Sequence, residues 1–185
     1  MWLTFLLAAF TGRCLPCSPN ESGFVLRQGL PPHVADTVDD AVILGLRAVV
    51  DQEEIETARW MSTHTRSPGV KTFTRSLLRG HSNAQSTAAA LATRLRIERK
   101  TPADSDSAVV RRHHDAMASL RRLSGAERDR AFLRSVRDDH IGEIAKVNGW
   151  YGPAARRDSV KAYLQAIMPT LARHRDTAAR LLAGR

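Results

Sequence analysis

Residues 70–95 read VKTFTRSLLRGHSNAQSTAAALATRL, and this stretch decides the fold. Its apolar and small residues fall at Val70, Phe73, Leu77, Ala84, Ala88, Leu91 and Leu95, with His81 inside the same series. The steps are threes and fours, the period of one face of an α-helix, with no alternation of the kind a strand needs. Ser67-Pro68-Gly69 breaks the chain before it.

Working outward, the same period recurs. A first helix over about 36–65 carries Val38, Val42, Leu46, Val49 and Trp60, with Asp36 or Thr37 as its cap and Thr37-x-x-Asp40 resembling a capping box. The helix just described spans about 69–97. Residues 98–107 read as a loop and 108–122 as a short crossover helix with a basic surface. Ser124-Gly-Ala-Glu127 is a capping-box signature for a third long helix over about 125–149, striped by Phe132, Val136, His140, Glu143 and Val147 and ended by Gly149, Gly152 and Pro153. A fourth, about 159–183 with Asp158 as cap, carries Val160, Tyr163, Ile167, Leu171, His174, Ala178 and Leu181, and Pro169 predicts a kink within it. Short links make each neighbouring pair an antiparallel hairpin, and the long segment between the pairs can cross the bundle. The expectation is therefore an all-α, ferritin-like four-helix bundle with a crossover containing a short extra helix.

The chain has 185 residues, 43% of them hydrophobic and 25% charged, which suits one globular domain rather than two large ones. Residues 2–10, WLTFLLAAF, are too short to span a bilayer and fit the apolar region of a signal peptide, so residues 1–17 are expected to be that peptide. Residues 18–35, with Pro19, Gly23, Gly29, Pro31 and Pro32, read as a linker, and 36–185 as the bundle. Cys14 and Cys17 fall in the N-terminal segment, which leaves the bundle without cysteine. Export to the periplasm or cell envelope is the expected location.

Basic residues number 28 against 19 acidic, a net charge of +9, and all but Lys71, Lys100, Lys146 and Lys161 are arginines. A basic chain suits a polyanion or an anionic surface. Binders of single-stranded nucleic acid interleave cations with stacking aromatics. Beyond residue 35 the aromatics are Trp60, Phe73, Phe132, Trp150, Tyr151 and Tyr163, none within a basic cluster such as Arg111-Arg112. No specific nucleic-acid partner is expected; association with an envelope or membrane surface is compatible with the charge.

Three helices each place one histidine on the apolar stripe: His81, His140 and His174. Asp51, Glu53, Glu54 and Glu56 interrupt the stripe of the first helix. Glu54 and His81 are equidistant from the Ser67-Pro68 turn, and His140 and His174 nearly so from the 152–158 turn, so these groups can meet at one level. Glu143 lies one turn from His140. Imidazoles with a carboxylate suit Fe, Zn, Cu or Mn, and the candidate ligands are His81, His140, His174, Glu54, Glu56 and Glu143. A hydrogen-bonded polar layer without metal is the competing reading. A di-iron centre of ferritin type needs Glu-x-x-His on two helices, but Leu78 and Leu171 occupy those places before His81 and His174. His33, His64, His113 and His114 read as surface residues. No nucleophile elbow, phosphate loop, dinucleotide glycine motif or His-Glu-x-x-His occurs.

From Val38 to Leu182 the chain resembles the bacterial exported family called domain of unknown function 4142. The resemblance rests on Glu54-Ile-Glu56, on Ser67-Pro-Gly-Val-Lys-x-Phe leading to His81, on Ser124-Gly-x-x-x-Asp129-Arg-x-Phe132 leading to Asp139-His140, and on Pro169-Thr-Leu-x-x-His174. It implies a ferritin-like, exported bundle without an established activity, and Glu54, Glu56, His81, His140 and His174 as interior polar positions. Gly80 stands where the family commonly has an acidic residue. The expected function is a non-enzymatic envelope bundle of unknown activity, whose core layer is read either as a metal-free polar network or as a site for one metal ion. The rivals are a ferritin-type oxidoreductase or metal-storage protein, and a basic envelope module for anionic lipid, glycan or nucleic acid.

Overall fold

In the computed structural model, residues 38–101 and 103–184 are described, and among them there are helices and no strand. The order is α1 (Asp40–His64), α2 (Pro68–Leu95), α3 (Ala103–Arg122), α4 (Gly125–Lys146) and α5 (Asp158–Ala183). A π-helical turn, Val147–Tyr151, and a short turn, Gly152–Ala154, join α4 to α5. The expected signal peptide and linker, and the cap candidates Asp36 and Thr37, lie outside the described residues. Helices α1 with α2 and α4 with α5 form the two hairpins, α2 also packs on α5, and α3 lies against α1 and α4. The four-helix bundle with a helical connection is thus present, and α3 begins five residues earlier than the sequence period suggests.

The helix ends show where local chemistry departs from expectation. Asp39 caps α1, its Oδ1 accepting from the amides of Ala41 at 2.9 Å and Val42 at 3.0 Å. Asp40 serves another purpose. Its carboxylate accepts the Arg156 and Arg157 amides at 2.9 and 3.2 Å, bracing the start of α5 on the start of α1. Ser67 caps α2, with Pro68 in its first turn, so the break expected at residues 67–69 is only a short link and the helix begins one residue earlier than expected. Ser124 precedes α4 but makes no side-chain cap bond, because Gly125 at φ +52° turns the backbone there. Asp158 is the first residue of α5 rather than its cap, which is Arg157. Helix α4 does not stop at Gly149. The wider π turn carries the chain on and keeps both Val147 and Tyr151 buried. Pro169 lies inside α5, which continues past it.

The core is divided. One apolar cluster holds Val42, Leu46, Leu91, Val147, Val160 and Leu171 among others. A second holds Ala58, Phe73, Leu77, Phe132, Val136 and Ala178. Each fully buried aliphatic or aromatic side chain contributes roughly 1.5–3 kcal/mol. On every long helix the same short interval separates the two clusters, and it is filled by polar groups: Arg47 and Asp51 on α1, His81 on α2, His140 and Glu143 on α4, His174 on α5, all buried. The bundle therefore consists of two apolar ends and a polar middle layer.

Candidate metal centre

Three imidazoles form the centre of this layer. Ring centroids lie 5.5 Å apart for His81–His140, 5.3 Å for His81–His174 and 5.3 Å for His140–His174, an almost equilateral triangle. One ring nitrogen from each lies within 4.8 Å of one from each of the others. The nearest pair, His140 Nε2 and His174 Nδ1, is 3.3 Å apart. Two ligands at ~2.0–2.1 Å from one tetrahedral ion are separated by about 3.3–3.4 Å.

The outer nitrogens are fixed by acceptors, and this sets the tautomers. His140 Nδ1 donates to the Val136 carbonyl at 2.8 Å, so its Nε2 carries a lone pair. His81 Nδ1 donates to Asp51 Oδ1 at 2.9 Å, and its Nε2 is buried with no hydrogen-bond partner among the described residues. The His174 ring packs on α2, and its Nδ1 faces His140 Nε2 at 3.3 Å, donating to that lone pair in the metal-free fold. Gly80 makes this approach possible: a Cβ there would stand 2.6 Å from His174 Cε1 and 3.0 Å from Nε2. Nε2 is therefore the α2-facing nitrogen, and Nδ1 faces His140.

Behind His81 runs a chain of charge. Asp51 Oδ1 also accepts from Arg47 Nη2, and Arg47 Nη1 donates to Glu143 Oε2 at 2.7 Å. Lys146 Nζ, at the rim, donates to Glu143 Oε1 at 2.6 Å. Burial disfavours the Arg47 cation, but Asp51 and Glu143 outweigh it and hold its pKa above the usual arginine value. Burial likewise opposes the Glu143 carboxylate, and Arg47 with Lys146 overcomes this, so its pKa is lowered. The histidines differ. Burial pulls His140 well below its ordinary value and His174 down to about 4, with the neighbouring His81 adding to both shifts. Both are therefore neutral at pH 7, the form that binds a metal.

Of the expected ligands, His81, His140 and His174 are brought together. Glu54 stands beside them, Oε1 4.0 Å from His140 Nδ1, and burial pushes its carboxyl up to about 7. Glu143 faces Arg47 and Lys146 instead of the imidazoles. Glu56 is not interior: it is exposed, accepts from Gln52 Nε2 at 2.8 Å and lies 3.8 Å from His113. The spacing of three residues from His140 to Glu143 places both on one side of α4, but the arginine opposite claims the carboxylate. His113 is half-buried rather than a free surface residue, whereas His64 is exposed and stacks on Trp60 at 4.1 Å. Arg47 was not singled out by the sequence period. Its signal was an arginine inside the apolar run AVILGLRAVV, four residues before Asp51, the spacing of a helical ion pair.

No curated protein and no solved structure matches the chain. A family model described as domain of unknown function DUF4142 matches residues 28–181, and the chain belongs to that family.

Proposed function

We propose that this protein binds one divalent transition-metal ion in the middle of its bundle, through His81, His140 and His174. The observation that carries this reading is the convergence of three buried imidazoles, one of which, His81, holds an Nε2 with no partner. A buried lone pair without a donor is costly, on the order of 1–3 kcal/mol, and a cation removes that cost at His81. Nitrogen donors favour Zn, Cu or Fe over Mg or Ca. The donor set is Nε2 of His81, Nε2 of His140 and Nδ1 of His174, with Asp51 as the carboxylate behind the first ring in the carboxylate–histidine–metal arrangement.

The reading is of a metal-binding protein of the cell envelope and not of a di-iron enzyme. Glu56 lies outside the layer, and Glu143 is committed to Arg47 and Lys146. Export rests on the apolar N-terminal run of the sequence.

Metal content of purified protein after reconstitution with Zn, Cu, Fe or Mn tests the proposal. The expected result is one equivalent of Zn, Cu or Fe, lost in His81→Ala. No stoichiometric metal with any of the four, in protein that retains its helical circular dichroism, would overturn it.

A further inference from the structure

A cleft of about 220 Å³ opens between α1, α3 and α4, and Glu54 forms part of its wall. Asp139, Glu53, Arg112 and Lys146 line it as well. Exposure falls in order along this wall. Asp139 is exposed, the Glu54 side chain keeps 14% of its surface, and His140 behind it keeps 2%. Asp139 is held by Ser135, whose Oγ donates to Oδ2 at 3.0 Å. Glu54 Oε1 lies 4.0 Å from His140 Nδ1. Two carboxylates thus stand one behind the other between solvent and the imidazoles.

The other cleft beside the layer, about 160 Å³ between α1, α2 and α5, is different in kind. Its wall includes His81 itself and the buried Arg47 cation, and its carboxylate, Asp51, is already engaged by both. Arg112 and Lys146 bring cations to the α3-side cleft as well, so the difference lies in the carboxylates: Asp51 is spent on Arg47 and His81, whereas Asp139 accepts from the neutral Ser135 hydroxyl. On the α3 side the carboxylates Asp139 and Glu54 lead inward.

We propose that the α1/α3/α4 cleft is the route by which a hydrated divalent cation reaches the three histidines, with Asp139 as the outer and Glu54 as the inner hand-off carboxylate. The inference rests on the metal-binding reading above. In this role neither carboxylate is a permanent ligand. Each lowers the barrier to exchange a water for protein oxygen and then releases the ion to nitrogen. An oxygen anion suits this step because it holds late transition metals less tightly than imidazole does. Such residues change how fast the ion arrives and leaves, with little effect on how tightly it is finally held.

Stopped-flow mixing with Co²⁺ at pH 8, where both carboxyls are anions, followed by its visible absorption, tests the route. In Glu54→Gln the association and dissociation rate constants are both expected to fall about tenfold, with Kd within about twofold of the parent, and in Asp139→Asn the same pattern should be weaker. Added salt should slow association in the parent more than in either variant. Unchanged association rates in both variants would overturn the route. A Kd raised through faster dissociation alone would also overturn it, since Glu54 would then be a ligand. Asp139 is exposed, so its variant tests the idea even where Glu54→Gln perturbs folding. Failure of the parent itself to bind Co²⁺, Zn²⁺ or Cu²⁺ would remove the metal reading and the route together, whereas tight binding with unaltered rates removes the route alone.

Discussion

His81 donates its Nδ1 proton to Asp51 Oδ1 at 2.9 Å, across the α1–α2 hairpin and 30 residues away in sequence. That bond decides which nitrogen of His81 faces the other two rings. An ionised carboxylate accepts only, so Nδ1 keeps the proton and Nε2 keeps its lone pair. Asp51 is itself held by Arg47, one helical turn earlier. The orientation of a ring on α2 is thus set by two side chains of α1.

Asp51→Asn is therefore expected to weaken metal binding by about 10–100-fold, the usual effect of losing a carboxylate behind a ligating histidine. The amide oxygen still accepts a hydrogen bond, so helix content should be unchanged. Titration calorimetry with Zn²⁺ measures the affinity. Nitrogen chemical shifts of the metal-free protein should show a growing share of the other His81 tautomer. An unaltered tautomer and an unaltered Kd would show that Asp51 has no positioning role.

Arg47 is a harder loss. It is buried, and it is the cation between Asp51 and Glu143. Arg47→Met preserves much of the volume but leaves two carboxylates facing each other in the interior, and Lys146 relieves only Glu143. Breaking a buried ionic group on one side typically costs about 3–5 kcal/mol. Urea unfolding should show a loss of that order. The triple variant Arg47→Met, Asp51→Asn, Glu143→Gln should recover part of it, since the uncompensated charges are gone. A triple variant less stable than the single one would mean that shape, not charge, governs this layer.

These two residues also show where sequence reading stops. The three histidines were legible because each replaces an apolar residue in a stripe of threes and fours, and a helix period maps directly onto a face. Their common level followed from hairpin geometry, since equal distance from a turn means equal height. The pairing of carboxylates was not legible in the same way. Asp51, Glu53, Glu54 and Glu56 sit within two turns of one helix, and a rotation of about 100° per residue decides which meets His81. The period placed Glu54 beside the rings, while the deeper position belongs to Asp51. Glu56 turns outward to Gln52. Glu143 was read on the correct face, but its partner is an arginine from another helix, and such a choice depends on three-dimensional contact. The helix starts at Gly125 and Asp158 fell within a residue of expectation, and only the cap chemistry differed: a cap signature names residues able to cap, and backbone geometry then selects among them.

Gly80 and Gly142 should respond oppositely to the same substitution. Both lie in helices, where alanine is intrinsically better by about 0.5–1 kcal/mol. A Cβ at Gly142 meets nothing within 4 Å, so Gly142→Ala should gain most of that amount. At Gly80 the new methyl would press on the His174 ring, and overpacking of this kind costs about 1–3 kcal/mol. Gly80→Ala should come out near neutral or destabilised, with shifted His174 ring resonances and weaker metal binding. Equal stabilisation at the two sites, with His174 undisturbed, would contradict the close contact described here.

The polar layer also dictates an unusual dependence of stability on pH. His174 titrates at about 4 in the fold against an ordinary value of 6.5, and His140 is shifted in the same direction. Between those values the unfolded chain binds more protons, so the stability these rings contribute is present above pH 6.5 and lost as pH falls toward 4. Glu54 acts the other way. Its carboxyl is raised from 4.5 to about 7, so the fold holds the extra proton, and its contribution is present below pH 4.5 and lost as pH rises to 7. Each full shift of this size corresponds to about 3 kcal/mol, and over pH 4.5–6.5 the two trends oppose. The parent protein should therefore show a shallow profile through that window. Glu54→Gln removes one side of the opposition. It should be more stable than the parent by about 2–3 kcal/mol at pH 8, about equal at pH 4, and should lose stability more steeply on acidification. Urea midpoints measured from pH 4 to pH 8 for both proteins decide the matter, and two parallel curves would show that Glu54 is not held protonated in the bundle.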